Sequence, residues 1–573
     1  VIEDDAMEFD AVEEAPPRLK LRDYQERGVE AVEAGWPQFG RQLLDVCTGG
    51  GKTEIACALM KRRHERDKGR TLFLAHRENL VIQSAKRIAD RTGLKVGVEM
   101  ASQYAPPSCD IVVGSVQSLQ NPSRLMGFKE SHFAQVIADE SHHSLSDSWQ
   151  RVLNYFHFGK RSLDPNWGIP DVDVRVPYFA DLLGITATPD ISGKKKLGHF
   201  YQRLAFRFSY LDAVEQGWLV PPVAKSVPLE IDIRGLSAKR TDHGADLGDA
   251  ELAAKLIPII GALADQLAKL AMDRKTIAYV PSVQCAKLLA EEVTKRGMDG
   301  QFVSGECEDK QEKLEHFSQF GGRGSVLTNC SLVVEGTDVP SVDCIAAFRA
   351  TQSAAFYRQF CGRACRPLKG LVDHLETAAE RRAAIAASRK SAFLILDPCW
   401  ITDRIQLCSP FTLVTSKPES AEMAKGKKGS LIEAGKEAER DLIQALAKEA
   451  KKHAHKDART INPLDWAMNL GSVDLAAYEP ETDWEAAPPM EGQLALIGKS
   501  GIDVSAVTSR GMASKLLDMI LDRTRDGKCT PEQMSFLIRL GMKPEDAART
   551  PKRQAGAIIG RKRAEWAARR RAT

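Results

Sequence analysis

No stretch of this 573-residue sequence runs to about 18 apolar residues, so no membrane-spanning helix is expected and no membrane partner. Its 12 cysteines are scattered and include no Cys-x-x-Cys pair, which argues against a zinc ribbon and a secreted disulfide framework. A reducing, cytoplasmic setting is the simpler expectation. The first residues, VIEDDAMEFDAVEE, lack the basic-then-apolar order of a signal peptide. Net charge is also nearly absent, with 80 Lys+Arg against 77 Asp+Glu giving +3. What remains, 43% hydrophobic and 27% charged residues, is an ordinary globular composition over enough chain for several cores.

The balanced charge hides an asymmetry: 1–14 holds seven acids and no base, and 549–573 holds nine bases against Glu565 alone. Residues 1–17 read as a disordered acidic arm closed by Pro16-Pro17. From 18 to 220, short apolar runs such as Leu43–Val46, Thr71–Ala75, Ile111–Val113, Val136–Ala138 and Leu182–Ile185 alternate with helical patterns. Such runs between helices predict a parallel sheet covered on both faces. A second set follows over 221–400, with Thr276–Val280, Ser325–Thr328, Cys344–Ala347 and Phe393–Asp397. The expectation is α/β: two successive parallel-sheet domains.

Beyond them, 401–489 reads as helical linker and irregular connector, with 419–456 an exposed Ala/Lys/Glu-rich helix. The last segment, 490–573, holds a repeat and a basic tail. Gln493–Gly501 resembles Gln533–Gly541, and Thr508, Arg510, Ala513 and Leu516 recur as Thr550, Lys552, Ala555 and Ile558. Each unit predicts a helix stopped by Gly and a second helix started near Thr.

The run ending at Val46 leads into Cys47-Thr48-Gly49-Gly50-Gly51-Lys52-Thr53 and then a helical stretch. Glycines turn backbone N–H groups onto phosphates at a helix N-terminus, Lys52 neutralises charge, and the Thr53 hydroxyl suits Mg²⁺. The strict phosphate-loop pattern places Gly at 46, where this chain has Val46, and alone the stretch also reads as a plain glycine turn. A second apolar run ends in Asp139-Glu140-Ser141-His142, two carboxylates placed as metal holder and water-activating base, or simply an acidic turn. The adjacent His142 and His143 do not read as a metal pair.

With Tyr24-Gln25, Ala75-His76-Arg77, Gly114-Ser115-Val116-Gln117, Thr186-Ala187-Thr188-Pro189, Gly336-Thr337-Asp338 and Gln359-Phe360-Cys361-Gly362-Arg363-Ala364-Cys365-Arg366, these form an ordered set over 18–400. The set resembles superfamily 2 DEAD/DEAH-box helicases, in the branch of RadD-like, XPB-like and restriction-enzyme translocating subunits. That resemblance implies two tandem RecA-like domains followed by a helical C-terminal region. It implies ATP and Mg²⁺ as cofactors, with Tyr24, Gln25 and 48–53 at the nucleotide, Gln25 reading the adenine edge. Asp139 would hold the metal with Thr53, and Glu140 would be the base. His142, Thr186 and Thr188 would couple hydrolysis to movement. Gly336 and Asp338 would approach the ribose, Gln359 would bridge to nucleotide or water, and Arg363 and Arg366 would be arginine fingers. Arg77, Ser115, Gln117 and Ser282 would lie along the nucleic acid.

Gln359, Arg363 and Arg366 stand at i, i+4 and i+7, which predicts one helical face for all three. Cys361 and Cys365 read as packing residues of the same helix. The cysteine-rich zinc module of RadD-like proteins has no counterpart, no nuclease or methyltransferase constellation is visible, and 159–178 reads as an insertion. The resulting expectation is an ATP-dependent helicase or translocase, DNA-directed rather than RNA-directed. Its rivals are a double-stranded DNA translocase subunit of a restriction or defence assembly, and a non-enzymatic DNA-binding scaffold. The C-terminal repeat and its basic end would contact nucleic acid or a protein partner.

Overall fold

The computed structural model describes residues 8–9, 20–76, 78–164, 177–187, 197, 200–234, 236, 238–241, 244–305, 307, 309–319, 322, 324–330, 339, 341–401, 407–415, 418–453, 463, 466–467, 470, 475, 478, 480 and 483–572.

The first sheet comprises β1 (Glu8–Phe9), β2 (Arg41–Val46), β3 (Thr71–Ala75), β4 (Val96–Glu99), β5 (Ile111–Ser115), β6 (Gln135–Asp139), β7 (Asp181–Thr186) and β8 (Arg203–Phe208). Their order is β1-β4-β5-β3-β6-β7-β2-β8. From β4 through β2 the pairs are parallel, and β2, β3, β5 and β7 are buried along their whole length. Helices α1 (Asp23–Gly35), α2 (Lys52–Asp67) and α3 (Glu78–Thr92) belong to this lobe. Ile55 to Met60 of α2 are all buried, as for a helix wedged between the sheet and its neighbouring helices. Because the strands run the same way, the loops after β2, β3, β5, β6 and β7 meet at one edge, where open α/β sheets bind ligands. The acidic arm was expected to be disordered; its described part, Glu8–Phe9, instead pairs antiparallel with Val96–Gly97 of β4.

The second lobe holds β9 (Pro222–Asp232), a hairpin of β10 (Ala238–Thr241) and β11 (Gly244–Leu247), then β12 (Thr276–Tyr279), β13 (Asp299–Val303), β14 (Ser325–Asn329), β15 (Cys344–Ala347) and β16 (Phe393–Ile401). Its sheet order is β13-β14-β12-β15-β16-β9, with every pair parallel. Two parallel-sheet α/β domains and a helical C-terminal region are therefore present, as the sequence implies. Both sheets lie in one compact unit, Val1–Leu197 with Leu204–Lys436; the other unit is Gly198–Arg203 with Glu437–Thr573.

The helix expected over 419–456 is two helices, Pro418–Lys425 and Leu431–His453, parted where Gly429 adopts φ +107°. Nor is its start exposed. Ala434 and Ala438 are buried, and a Cβ built on Gly435 would stand 2.8 Å from Val414 Cγ2. Small residues anchor this helix by letting its backbone approach, so a search for large apolar anchors misses it.

In the second unit, the paired repeat is α-helical twice over: Glu491–Gly498 and Arg510–Arg525, then Pro531–Arg539 and Lys552–Ala572. Gln493 Oε1 accepts from Met490 N at 3.0 Å, and Gln533 Oε1 from Thr530 N at 3.1 Å, so one residue caps the same turn in both copies. Gly501 and Gly541 both take positive φ, +79° and +93°. Ser509, rather than Thr508, caps the second helix of the first copy, accepting from Met512 N at 3.3 Å.

Candidate nucleotide and nucleic-acid sites

The loop between β2 and α2 turns on Gly49 (φ +85°) and Gly51 (φ +75°), a conformation that side-chain-bearing residues rarely hold. A Cβ on Gly50 would stand 2.7 Å from Val46 Cγ1, so the valine that replaces the pattern's first glycine fits because its neighbour is glycine. From α1, Tyr24 donates its hydroxyl to Gly50 O at 2.8 Å and stacks on Phe208 at 3.8 Å and 7°. Tyr24 is fully buried, which makes it a support of the loop and not a wall of the open site. Gln25 Nε2 donates to the same carbonyl at 3.3 Å, and its Oε1 accepts from Arg22 N at 2.9 Å.

Lys52 Nζ lies 2.8 Å from Glu140 Oε1, and Glu140 N donates to Asp139 Oδ1 at 3.0 Å. Burial opposes the charge on Lys52, but Glu140 and Asp139 outweigh it and its pKa is raised. Burial likewise pushes Glu140 upward, yet Lys52 and His142 overcome it and hold the carboxylate well below its usual range. Asp139, where burial dominates over Lys52, is raised. Glu140 itself sits in the left-handed region, φ 48°, ψ 52°. His142 Nδ1 is 3.4 Å from Glu140 Oε2, within ion-pair range but not aligned as a hydrogen bond.

The second lobe closes against this loop. Cys365 Sγ donates to Thr48 O at 3.5 Å, and a Cβ on Gly362 would stand 2.5 Å from Thr48 Cγ2. Arg366 Cγ would lie 3.5 Å from a Cβ on Gly49. Arg363 acts on Lys52 as a like charge, and its Nε is buried without a hydrogen-bond partner. Two cations beside one loop, one with an idle donor, make a site for an anion. The single helical face expected for Gln359, Arg363 and Arg366 is corrected: the helix is Ala354–Cys361, capped at Gly362. Gln359 is buried within it, while both arginines lie beyond its end. Pro367 disfavours helical backbone at Arg366, so the chain leaves the helix before the fingers.

Residues 18–191 match the family described as type III restriction enzyme, res subunit, and 259–367 match the helicase conserved C-terminal domain. The two matches fall one on each parallel-sheet domain. Among curated relatives, the "Putative mitochondrial ATP-dependent helicase irc3" of Schizosaccharomyces pombe is 26% identical over 70% of the chain and 61% of its own length. The "Putative ATP-dependent helicase IRC3" of Saccharomyces cerevisiae is 25% identical over 60% of the chain and 49% of its own. The chain thus spans about half to three-fifths of the length of these relatives. In fold it is similar to the ATP-dependent type ISP restriction-modification enzyme LlaBIII, solved bound to DNA, with TM-score 0.50 and 14% identity over 96% of this chain and 42% of that one.

The remaining expected site positions separate. Thr186 ends β7 fully buried, paired in register with Asp45 of β2. Ser115 is buried, its hydroxyl accepting from Ser118 N and donating to Gln117 Oε1 at 3.1 Å; Gln117 is exposed. Ser282 caps the helix Val283–Lys295, accepting from Cys285 N at 3.1 Å, so it serves that turn. Arg77, Thr188, Gly336 and Asp338, with 165–176 of the insertion, lie outside the described residues. Sequence reasoning missed Arg22, whose guanidinium pairs with Asp373 of the second lobe at 2.8 Å and lies 4.3 Å over Trp218. It also missed His76 and His143, stacked at 4.7 Å, although both belong to motifs read for their neighbours.

Proposed function

We propose that this chain is an ATP-driven DNA translocase whose two lobes close on nucleotide and grip a phosphate backbone. The observation that carries the reading is the meeting of Lys52, Glu140 and Arg363 across one cleft. ATP phosphates would replace Glu140 as the partner of Lys52, and the released carboxylate, already ionised, would accept a proton from the attacking water. Arg363 and Arg366 would reach the same phosphates only with the lobes together, which ties turnover to closure. The idle Arg363 Nε and the glycine cradle fit a polyphosphate, and Thr53 and Asp139 would hold Mg²⁺. That ion supplies charge neutralisation to the phosphates when bound. Gln25 would turn from Gly50 toward the base.

Preference for DNA is supported by the restriction-enzyme match and by the DNA-bound LlaBIII. Phosphate contacts would supply the grip, so sequence preference would be low. The scattered cysteines of the sequence are the ground for proposing a reducing compartment such as the cytoplasm. ATPase measured in parallel with single-stranded DNA, duplex DNA and RNA tests the reading, beside triplex-displacement and strand-displacement assays. DNA-stimulated turnover with triplex displacement alone is the expected result. Turnover indifferent to nucleic acid would leave a scaffold.

A further inference from the structure

Adjacent strands β5, β3 and β6 end around a cavity of about 220 Å³. His76 follows β3, Gln117 and Gln120 follow β5, and His143, Ser146 and Ser148 follow β6; all six line it. Neither the glycine loop nor Asp139 or Glu140 lines it, so it is distinct from the nucleotide site. Among the described residues, no Asp, Glu, Lys or Arg lines the cavity. It offers ring faces and uncharged hydrogen-bonding groups instead. His76 and His143 stack at 4.7 Å and 22°, and Trp149, also in the wall, lies parallel to His143 at 21° with centroids 6.4 Å apart. Gln117 Nε2 meets His76 Nδ1 at 3.0 Å, Gln120 Nε2 donates to Gln117 O at 3.2 Å, and Ser146 Oγ donates to His143 O at 3.0 Å. Aromatic faces beside amides and hydroxyls are the chemistry that accepts an unstacked heterocyclic base.

We propose that the cavity takes one base of the strand that the lobes grip, an inference that rests on the nucleic-acid reading above. The cavity also reaches the hydrolytic centre. His143 lies 4.1 Å, ring to ring, from His142, whose Nδ1 is 3.4 Å from Glu140 Oε2. A base seated against His143 is thus two side chains from the carboxylate, and filling the cavity raises turnover as well as affinity.

The test compares a single-stranded oligonucleotide with an abasic strand of equal length and equal phosphate count, using the full chain. Loss of base stacking should weaken binding by about 5- to 150-fold and lower the ATPase stimulation. Gln120→Ala trims the wall, and Ser146→Phe fills the mouth at a hydroxyl that does not cap the following helix. Both should close most of the gap by weakening the intact strand alone. Equal binding and stimulation by the two strands in the unmodified chain would overturn the proposal while leaving the nucleic-acid reading standing. So would a gap that survives both variants. Failure of both strands to bind at all would overturn both.

Discussion

Lys52 and Glu140 neutralise each other at 2.8 Å, so the cation suited to phosphate and the carboxylate suited to water are stored as one ion pair. Nucleotide must part them. Lys52→Ala should therefore lower ATP affinity and turnover together, whereas Glu140→Gln should keep affinity and lose turnover, because an amide cannot take the proton. Binding of a fluorescent ATP analogue beside steady-state ATPase checks this. Equal loss of affinity in both variants would contradict the division of roles.

Arg366 abuts Gly49, and Arg363 Nε is buried without a partner. Arg366→Ala should lower turnover by about 10³-fold or more, the scale of arginine fingers, while nucleotide-free DNA binding changes little. If the isolated first lobe hydrolysed ATP as fast as the whole chain, dependence on the second lobe would be refuted.

Asp397 supplies a pH dependence. Burial pushes its carboxyl up to about 7, although Trp400 Nε1 donates to Oδ1 at 3.1 Å and pulls the other way. Between the ordinary 3.8 and about 7 the folded chain binds more protons than the unfolded one. Stability from this group is thus highest on the acid side and falls as pH rises through that window. Asp397→Asn keeps the acceptor for Trp400 and removes the charge. Its melting temperature should exceed that of the parent at pH 8 by several degrees and converge with it at pH 4. A difference constant with pH would refute the assignment.

Arg561 and Lys562 are exposed on the helix that completes the second repeat. If they meet phosphates, Gln at 561, 562 and 563 should make the log–log salt slope of DNA binding shallower by roughly 0.7–0.9 per lost contact. An unchanged slope would point to protein docking by this module.

Much of this was legible because strands buried on both faces must read as apolar runs, and β2, β3, β5 and β7 do. The repeat was legible for a similar reason, since Gln493 and Gln533 perform one capping task twice. Periodicity failed at Arg363 and Arg366, where Gly362 and Pro367 end the helix that spacing would continue. The cavity was out of reach for another reason. His76 and His143 are 67 positions apart, and only the adjacency of β3 and β6 stacks them.

Glu140 holds a left-handed backbone without being glycine, a conformation costing about 1–2 kcal/mol. The polypeptide thus gives up some durability at the one position where its chemistry is concentrated. Glycine at 140 would suit the turn better and leave nothing to accept a proton. Selection for heat resistance alone would drift toward an inert protein here, and a robust variant that turns over ATP must recover its margin elsewhere.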